Sequence, residues 1–394
     1  MAGRRRARRP GPAGDQGPPP VRPVTPVPAA AVGRYLELIG RGEEYAAVDL
    51  ALELLDGGAS AEAVLLDLVA PAQRRVGDLW AGNTWSVARE HAATAVSERV
   101  VAAVAARVRP PSVRGRITVA CADGEYHALP TRLLAEVLRL RGWRVDFLGA
   151  SVPGPHLIAH LHQVGPDAVA LSCTLPTRLP RAHATITACR SVGVPVLAGG
   201  RGFGADGRFA RLLGADAWAP TADAAADRLD RGLPGFPPEA PYTGVPAHLA
   251  DDEYTQLVRR RGEVLGGVLG ALTAAHPPVA SYSARQREAT AEDLAHLADF
   301  LAAALYVDDA RLFTEFVAWT AGVLRARGVP AASLAAGLEA FRGELRDFPR
   351  ARRILAQAAA ACAAAVGPDA AVGHGDAPRD GDPAGPLSPG GSGG

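Results

Sequence analysis

The chain contains no lysine, and all 42 of its basic residues are arginine. Schiff-base chemistry at a lysine amine is therefore excluded, and the bias reads as GC-rich coding. Cysteine is scarce as well. Cys121, Cys173, Cys189 and Cys362 stand in apolar contexts without CxxC spacing, which argues against both a zinc site and a disulfide framework. No apolar run reaches membrane-spanning length, and the arginine-rich start runs into proline instead of the apolar segment of a signal peptide. The cytoplasm is the expected compartment, with no membrane contact. An excess of one charge is also lacking, since a net charge of +1 does not suit a surface built as a whole for polyanions.

What is present is enough apolar material for two to three cores: 394 residues, 48% of them hydrophobic. Residues 1–28 are arginine, proline and glycine and are expected to be disordered. Their cluster, Arg4 to Arg6 with Arg8 and Arg9, reads as a solubilising tail, the alternative being contact with nucleic acid or an acidic partner. Residues 29–110 carry helical periodicity in four segments, near 30–41, 43–56, 60–79 and 86–108, with Ser60 and Ser86 as N-caps. From 115 to 232, strands near 117–122, 144–149, 167–173, 195–199 and 217–219 alternate with helical stretches, which predicts a five-stranded parallel sheet of flavodoxin-like kind. A proline-rich linker, 233–247, leads to a helical region over 248–366 that breaks at Pro277-Pro278 and at Gly328-Val329-Pro330. The tail over 367–394 is again expected to be disordered. The fold class is multidomain, α and α/β.

Two motifs carry chemistry. Gly124-Glu125-Tyr126-His127-Ala128-Leu129-Pro130 leaves the first strand, so a metal-competent imidazole with a nearby carboxylate stands at the carboxyl edge of the sheet, where such folds bind ligands. A lone loop histidine is more often solvated or satisfied in a core. Upstream, Trp80 is followed after nine residues by Glu90-His91, and Val87, Glu90, His91 and Thr94 fall on one side of a helix. Taken alone, that pattern is equally a solvated Glu and His with a core Trp.

Together the motifs resemble the cobalamin-binding light-sensor family, the CarH/LitR-type regulators, over roughly residues 30–232. The resemblance implies a four-helix bundle capping the upper face of the cofactor, adenosylcobalamin, with methylcobalamin as the alternative. It implies that His127 is the lower axial ligand to cobalt, with Glu125 as its carboxylate partner and Asp123 as a weaker candidate for that role. Ser172 and Thr174, ending the third strand, stand where the family binds the displaced benzimidazole. Gly199-Gly200 would let the nucleotide tail pass, although a diglycine alone is an ordinary turn. Trp80, Val87, Glu90 and His91 would enclose the adenosyl group. Two departures stand out: Pro130 replaces a glycine three residues after the histidine, and Ala81 replaces a second histidine, which excludes a bis-histidine photoproduct through that position.

The resemblance does not include the family's helix-turn-helix, so specific nucleic-acid binding is not expected and no catalytic residues are assigned. Phe300, Tyr306, Phe313, Phe316 and Trp319 in the third region read as helix–helix packing. His296 and Asp299 read as an exposed helix face in preference to a metal pair. That region is expected to mediate self-association or capture of a regulatory protein. The expected function is a cobalamin-based sensor of light that uses adenosylcobalamin and signals through protein contacts to regulate transcription, the alternatives being a corrinoid methyl carrier for a methyltransferase and an antirepressor that senses cobalamin level.

Overall fold

The computed structural model describes residues 25–233, 246–275 and 282–366. The Arg4 to Arg9 cluster, most of the proline-rich linker, Pro277-Pro278 and the tail from Gly367 lie outside the described residues. The chain is tied down from Thr25, before the expected boundary at residue 28. The Thr25 N–H donates to the Gly58 carbonyl at 3.1 Å, and Val27 packs on the first core.

That core belongs to a helical bundle of α1 (Ala29–Gly40), α2 (Glu44–Asp56), α3 (Ala70–Ala81) and α4 (Val87–Arg107). The Ser60 and Ser86 hydroxyls accept the Ala63 and Arg89 N–H groups at 3.0 and 3.3 Å, as N-caps do. The helix expected over 60–79 runs unbroken from Ala61 to Ala81, but a π-helical stretch at Val64–Val69 separates its first α-helical turn, Ala61–Ala63, from α3. Pro71 supplies the reason. It has no N–H to donate and its ring crowds the carbonyl four residues back, so a wider turn ahead of it relieves both.

The second unit runs β1 (Arg116–Cys121), α5 (Ala128–Leu140), β2 (Arg144–Gly149), α6 (Gly154–Val164), β3 (Ala168–Ser172), α7 (Leu179–Ser191), β4 (Val196–Gly199), α8 (Arg208–Leu212), β5 (Ala217–Ala219) and α9 (Ala222–Asp230). All strands are parallel in the order β2-β1-β3-β4-β5. The order reverses between β1 and β3, and the crevice beyond their carboxyl ends is where such sheets take ligands. Helix α5 begins at Ala128 and takes Pro130 into its first turn, where the missing N–H costs nothing. Leu129 and Leu133 of α5 complete the core of the bundle with Tyr35, Leu65 and Val100, so the bundle is seated on the helix that His127 caps.

The third unit contains α10 (Glu253–Arg259), α11 (Arg261–Ala275), α12 (Ala284–Val307), α13 (Ala310–Ala326), α14 (Ala331–Glu344) and α15 (Pro349–Val366). It is not a detached bundle. Leu301, Phe313 and Leu355 share one continuous core with Leu157, Leu179 and Ile186 of α6 and α7. The aromatics pack helix on helix as expected, but not all within the region. Phe300 and Phe316 stack within the region at 3.6 Å, whereas Tyr306 reaches His183 of α7, hydroxyl to Nδ1 at 2.6 Å, and Trp319 reaches Trp80 of the first bundle. Asp299 holds Arg261 at 2.6 and 3.0 Å, and both it and His296 are half-buried, so the pair is neither a metal site nor an exposed face.

Candidate functional site

Strands β1 and β3 end side by side, with Cys121 opposite Ser172. The chain leaving β1 turns at once: the Glu125 N–H donates to the Ala122 carbonyl at 2.9 Å, and Gly124 takes φ +75°, a value that favours glycine. The Gly124 N–H in turn donates to the Ser151 hydroxyl at 3.1 Å, and the Ser151 N–H to the Glu125 carbonyl at 2.8 Å. This turn drives the Glu125 side chain inward, where it is 0% exposed.

The buried carboxylate is saturated. Oε1 accepts the His127 N–H at 2.9 Å and pairs with His127 Nδ1 at 2.5 Å, while Oε2 accepts the Thr174 and Leu175 N–H groups at 2.6 and 2.9 Å. One side chain thus ties the loops after β1 and β3 together across the switch point. Burial pushes the Glu125 carboxyl up, but the imidazole's hydrogen bond and charge, with the backbone donors of His127 and Leu175, outweigh it and hold the group below its ordinary value. Asp123, the other carboxylate considered for this role, instead pairs with Arg181 at 2.6 Å.

A carboxylate at Nδ1 fixes the tautomer of the neutral ring, so that a metal would be met by Nε2, and it raises the ring's basicity. The His127 side chain is 26% exposed, enough to be reached from the crevice. Among the described residues, no three His, Cys, Asp or Glu side chains converge to hold a metal ion. A metal at His127 must therefore bring most of its ligands with it, and the residues present fit a metal already held in a macrocycle.

The remaining lower-side candidates lie around the same crevice. Ser172 and Thr174 are both half-buried, and Thr174 adds its N–H to Glu125. The diglycine splits into two cases. Gly200 has φ +98°, and a Cβ there would stand 2.4 Å from the Cys173 carbonyl oxygen, so the chain's own packing already requires glycine. A Cβ on Gly199 would meet only the Ala219 carbonyl, at 3.7 Å, an ordinary contact.

On the upper side, Glu90 pairs with His91 Nδ1 at 2.5 Å and accepts the Thr94 hydroxyl at 3.2 Å. Val87 and Glu90 are half-buried and His91 is exposed. Trp80 is only 8% exposed, and its neighbours were not anticipated. The Trp319 ring lies 6.1 Å from it, centroid to centroid, and the Arg327 guanidinium lies 5.4 Å from its centroid. Ala81 packs on the core shared by the sheet unit and the third unit.

Sequence reasoning missed Ser151, the Leu175 N–H, Trp319 and Arg327. Backbone donors leave no side-chain signature. Trp319 looks like any apolar residue of an amphipathic helix, although tryptophan occurs only five times in the chain.

Family models for B12 binding domains match residues 32–105 and residues 115–229. Over 124 residues the chain is 36% identical to the HTH-type transcriptional repressor CarA of Myxococcus xanthus, a match that spans 31% of this chain and 43% of that repressor. Among solved structures it is similar to a monomethylamine corrinoid protein of Methanosarcina barkeri, with TM-score 0.45 and 16% identity over 50% of this chain and 96% of that one. A cobalamin-binding protein of Desulfitobacterium hafniense gives TM-score 0.31 and 17% identity over 52% of this chain and 98% of that one. The helical bundle and the parallel-sheet unit are thus the parts of the chain that match B12 binding domains.

Proposed function

We propose that this protein is a cobalamin-dependent regulator, not a catalyst, and that His127 Nε2 is its lower axial ligand. The observation that carries this reading is the Glu125 clamp, which uses a fully buried carboxylate to fix one imidazole at the crevice mouth. In this reading residues 29–110 are the cap, 115–232 the cofactor domain and 248–366 the output domain. Ser172, Thr174, Gly199 and Gly200 border the nucleotide tail, and Trp80, Val87, Glu90 and His91 border the upper ligand. Bound adenosylcobalamin supplies a weak, photolabile cobalt–carbon bond. The chain's part is to hold the imidazole in one tautomer below the ring and to offer an indole above it.

Light is the signal in this reading, the compartment is the cytoplasm, and the output is a change in protein contacts that bears on transcription. Filling or emptying the space by Trp80 would have to supply about 5.5 kcal/mol to move an equilibrium from 1:99 to 99:1. Purified protein with adenosylcobalamin should show an absorbance spectrum of nitrogen-ligated, base-off cobalamin that changes after green light. His127→Ala should lose that spectrum in the dark. An unchanged spectrum and affinity in this variant would remove the ligand assignment.

A second reading, a corrinoid methyl carrier for a methyltransferase, draws on one observation. Trp80 is already covered by Trp319, and a methyl group needs far less room than an adenosyl group. Preference for methylcobalamin together with light-insensitivity would favour it. Sensing of cofactor level would instead leave the spectrum responsive to binding and indifferent to light.

A further inference from the structure

The third unit is anchored unequally on its two neighbours. On the sheet unit it shares a continuous core, reinforced by the Tyr306–His183 hydrogen bond at 2.6 Å and the Arg208–Asp309 ion pair at 2.9 Å. On the cap, the described polar and ring contacts of α13 lie in its carboxyl-terminal half. They are the tilted Trp80–Trp319 pair at 6.1 Å, the Arg327 guanidinium over Trp80 at 5.4 Å, and an Asn83 side-chain amide that reaches the Ala326 carbonyl at 3.5 Å. An aromatic pair and a cation–π contact are individually small beside a continuous core, and a hydrogen bond at 3.5 Å is at the limit of such bonds. The cap contact is therefore the weaker of the two anchorages.

Two further facts bear on it. Trp80 is 8% exposed, so a second flat group can lie on the indole only where a present neighbour gives way. The chain on either side of α13 is fixed differently as well. Asp309, which caps α13 and pairs with Arg208 of α8, holds its start on the sheet unit. Its end beyond Ala326 rests on Trp80 and Asn83. Between the two ends, Phe316 stacks on Phe300 of α12 at 3.6 Å and lies 6.1 Å from Trp319.

We propose that Trp319 and Arg327 are specificity-determining residues that compete with the upper axial ligand of bound cobalamin for the Trp80 face. A bulky aromatic upper ligand, such as an adenosyl group, displaces them, while a small one leaves them in place. The carboxyl end of α13 then reports the size of the upper ligand to the rest of the third unit. This inference rests on the proposed role of Trp80 and on cobalamin binding at His127.

The test is a dark spectrophotometric titration of full-length wild type, Trp319→Ala, Trp319→Phe and Arg327→Gln with adenosylcobalamin and with hydroxocobalamin. The ratio of the two affinities should shift toward adenosylcobalamin by about tenfold in Trp319→Ala, the scale of one aromatic pair, and by less in the other two. Small-angle scattering of the wild type should show expansion with adenosylcobalamin and none with hydroxocobalamin. Arg327→Gln and Trp319→Phe keep the comparison open should Trp319→Ala misfold. An unchanged ratio in all variants overturns the competition, as does a ratio shifted toward hydroxocobalamin, which would make Trp319 a wall of the adenosyl pocket. A wild type that binds neither cobalamin refutes the underlying reading itself, a result distinguishable from either of these.

Discussion

Two glutamate–histidine pairs in this chain have the same separation and opposite surroundings. Glu125 and His127 meet at 2.5 Å, as do Glu90 and His91. Glu125 is sealed from solvent and takes three backbone N–H groups besides the imidazole. The Glu90 and His91 side chains are 23% and 46% exposed, and Glu90 has a single hydroxyl, that of Thr94, as its further donor. Distance alone would rank the pairs as equals. Burial separates them, because a buried charge deprived of partners cannot turn to water, whereas an exposed one can.

The largest effect should therefore come from Glu125→Ala. Removing the carboxylate leaves the Thr174 and Leu175 N–H groups without an acceptor and unties the loops after β1 and β3, a loss of about 3–5 kcal/mol. A fall in the urea midpoint read by far-ultraviolet circular dichroism checks this, together with loss of the cobalamin spectrum. Glu125→Gln, which retains one carbonyl acceptor, should be intermediate. A Glu125→Ala protein as stable as wild type would mean that the clamp holds nothing together.

The lower side of the site was legible in the sequence because its parts are local or periodic. Glu125 and His127 lie two residues apart on a turn marked by Gly124, and β1 and β3 announce themselves as short apolar runs. The upper side was only half legible. Glu90, His91 and Thr94 share a helix, so their spacing suffices, but Asn83 and Ala326 meet from 243 residues apart. No periodicity in α13 distinguishes a tryptophan that packs within its own bundle from one that crosses to another. The docking of the third unit on α6 and α7 was hidden for the same reason: an apolar helix face declares that it will be covered and not by what.

The diglycine sharpens the comparison at the next scale. Gly200→Ala forces a side chain into φ +98° and places its Cβ 2.4 Å from the Cys173 carbonyl, which should cost about 2–3 kcal/mol. Gly199→Ala meets nothing closer than 3.7 Å and should change stability by under about 1 kcal/mol. Its interest lies in binding. If the nucleotide tail passes Gly199, the alanine variant should fold normally and bind every cobalamin more weakly. Thermal denaturation and spectrophotometric titration of both variants separate a packing requirement at one glycine from a ligand requirement at its neighbour.

The smallest stability effect belongs to the less buried of the two glutamates, Glu90. In Glu90→Ala, water replaces the carboxylate at His91 and Thr94, so stability should stay within about 0.5 kcal/mol of wild type. Binding should respond differently, because a carboxylate beside a sugar can accept its hydroxyls and has no such partner on a small upper ligand. The variant should therefore weaken adenosylcobalamin while leaving hydroxocobalamin unchanged. Equal weakening of both would place Glu90 outside the upper pocket, and a stability loss near that of Glu125→Ala would mean that exposure fails to distinguish the two pairs. A near-silent effect on folding joined to a selective effect on one ligand is what sets a group that recognises a cofactor apart from one that builds the site holding it.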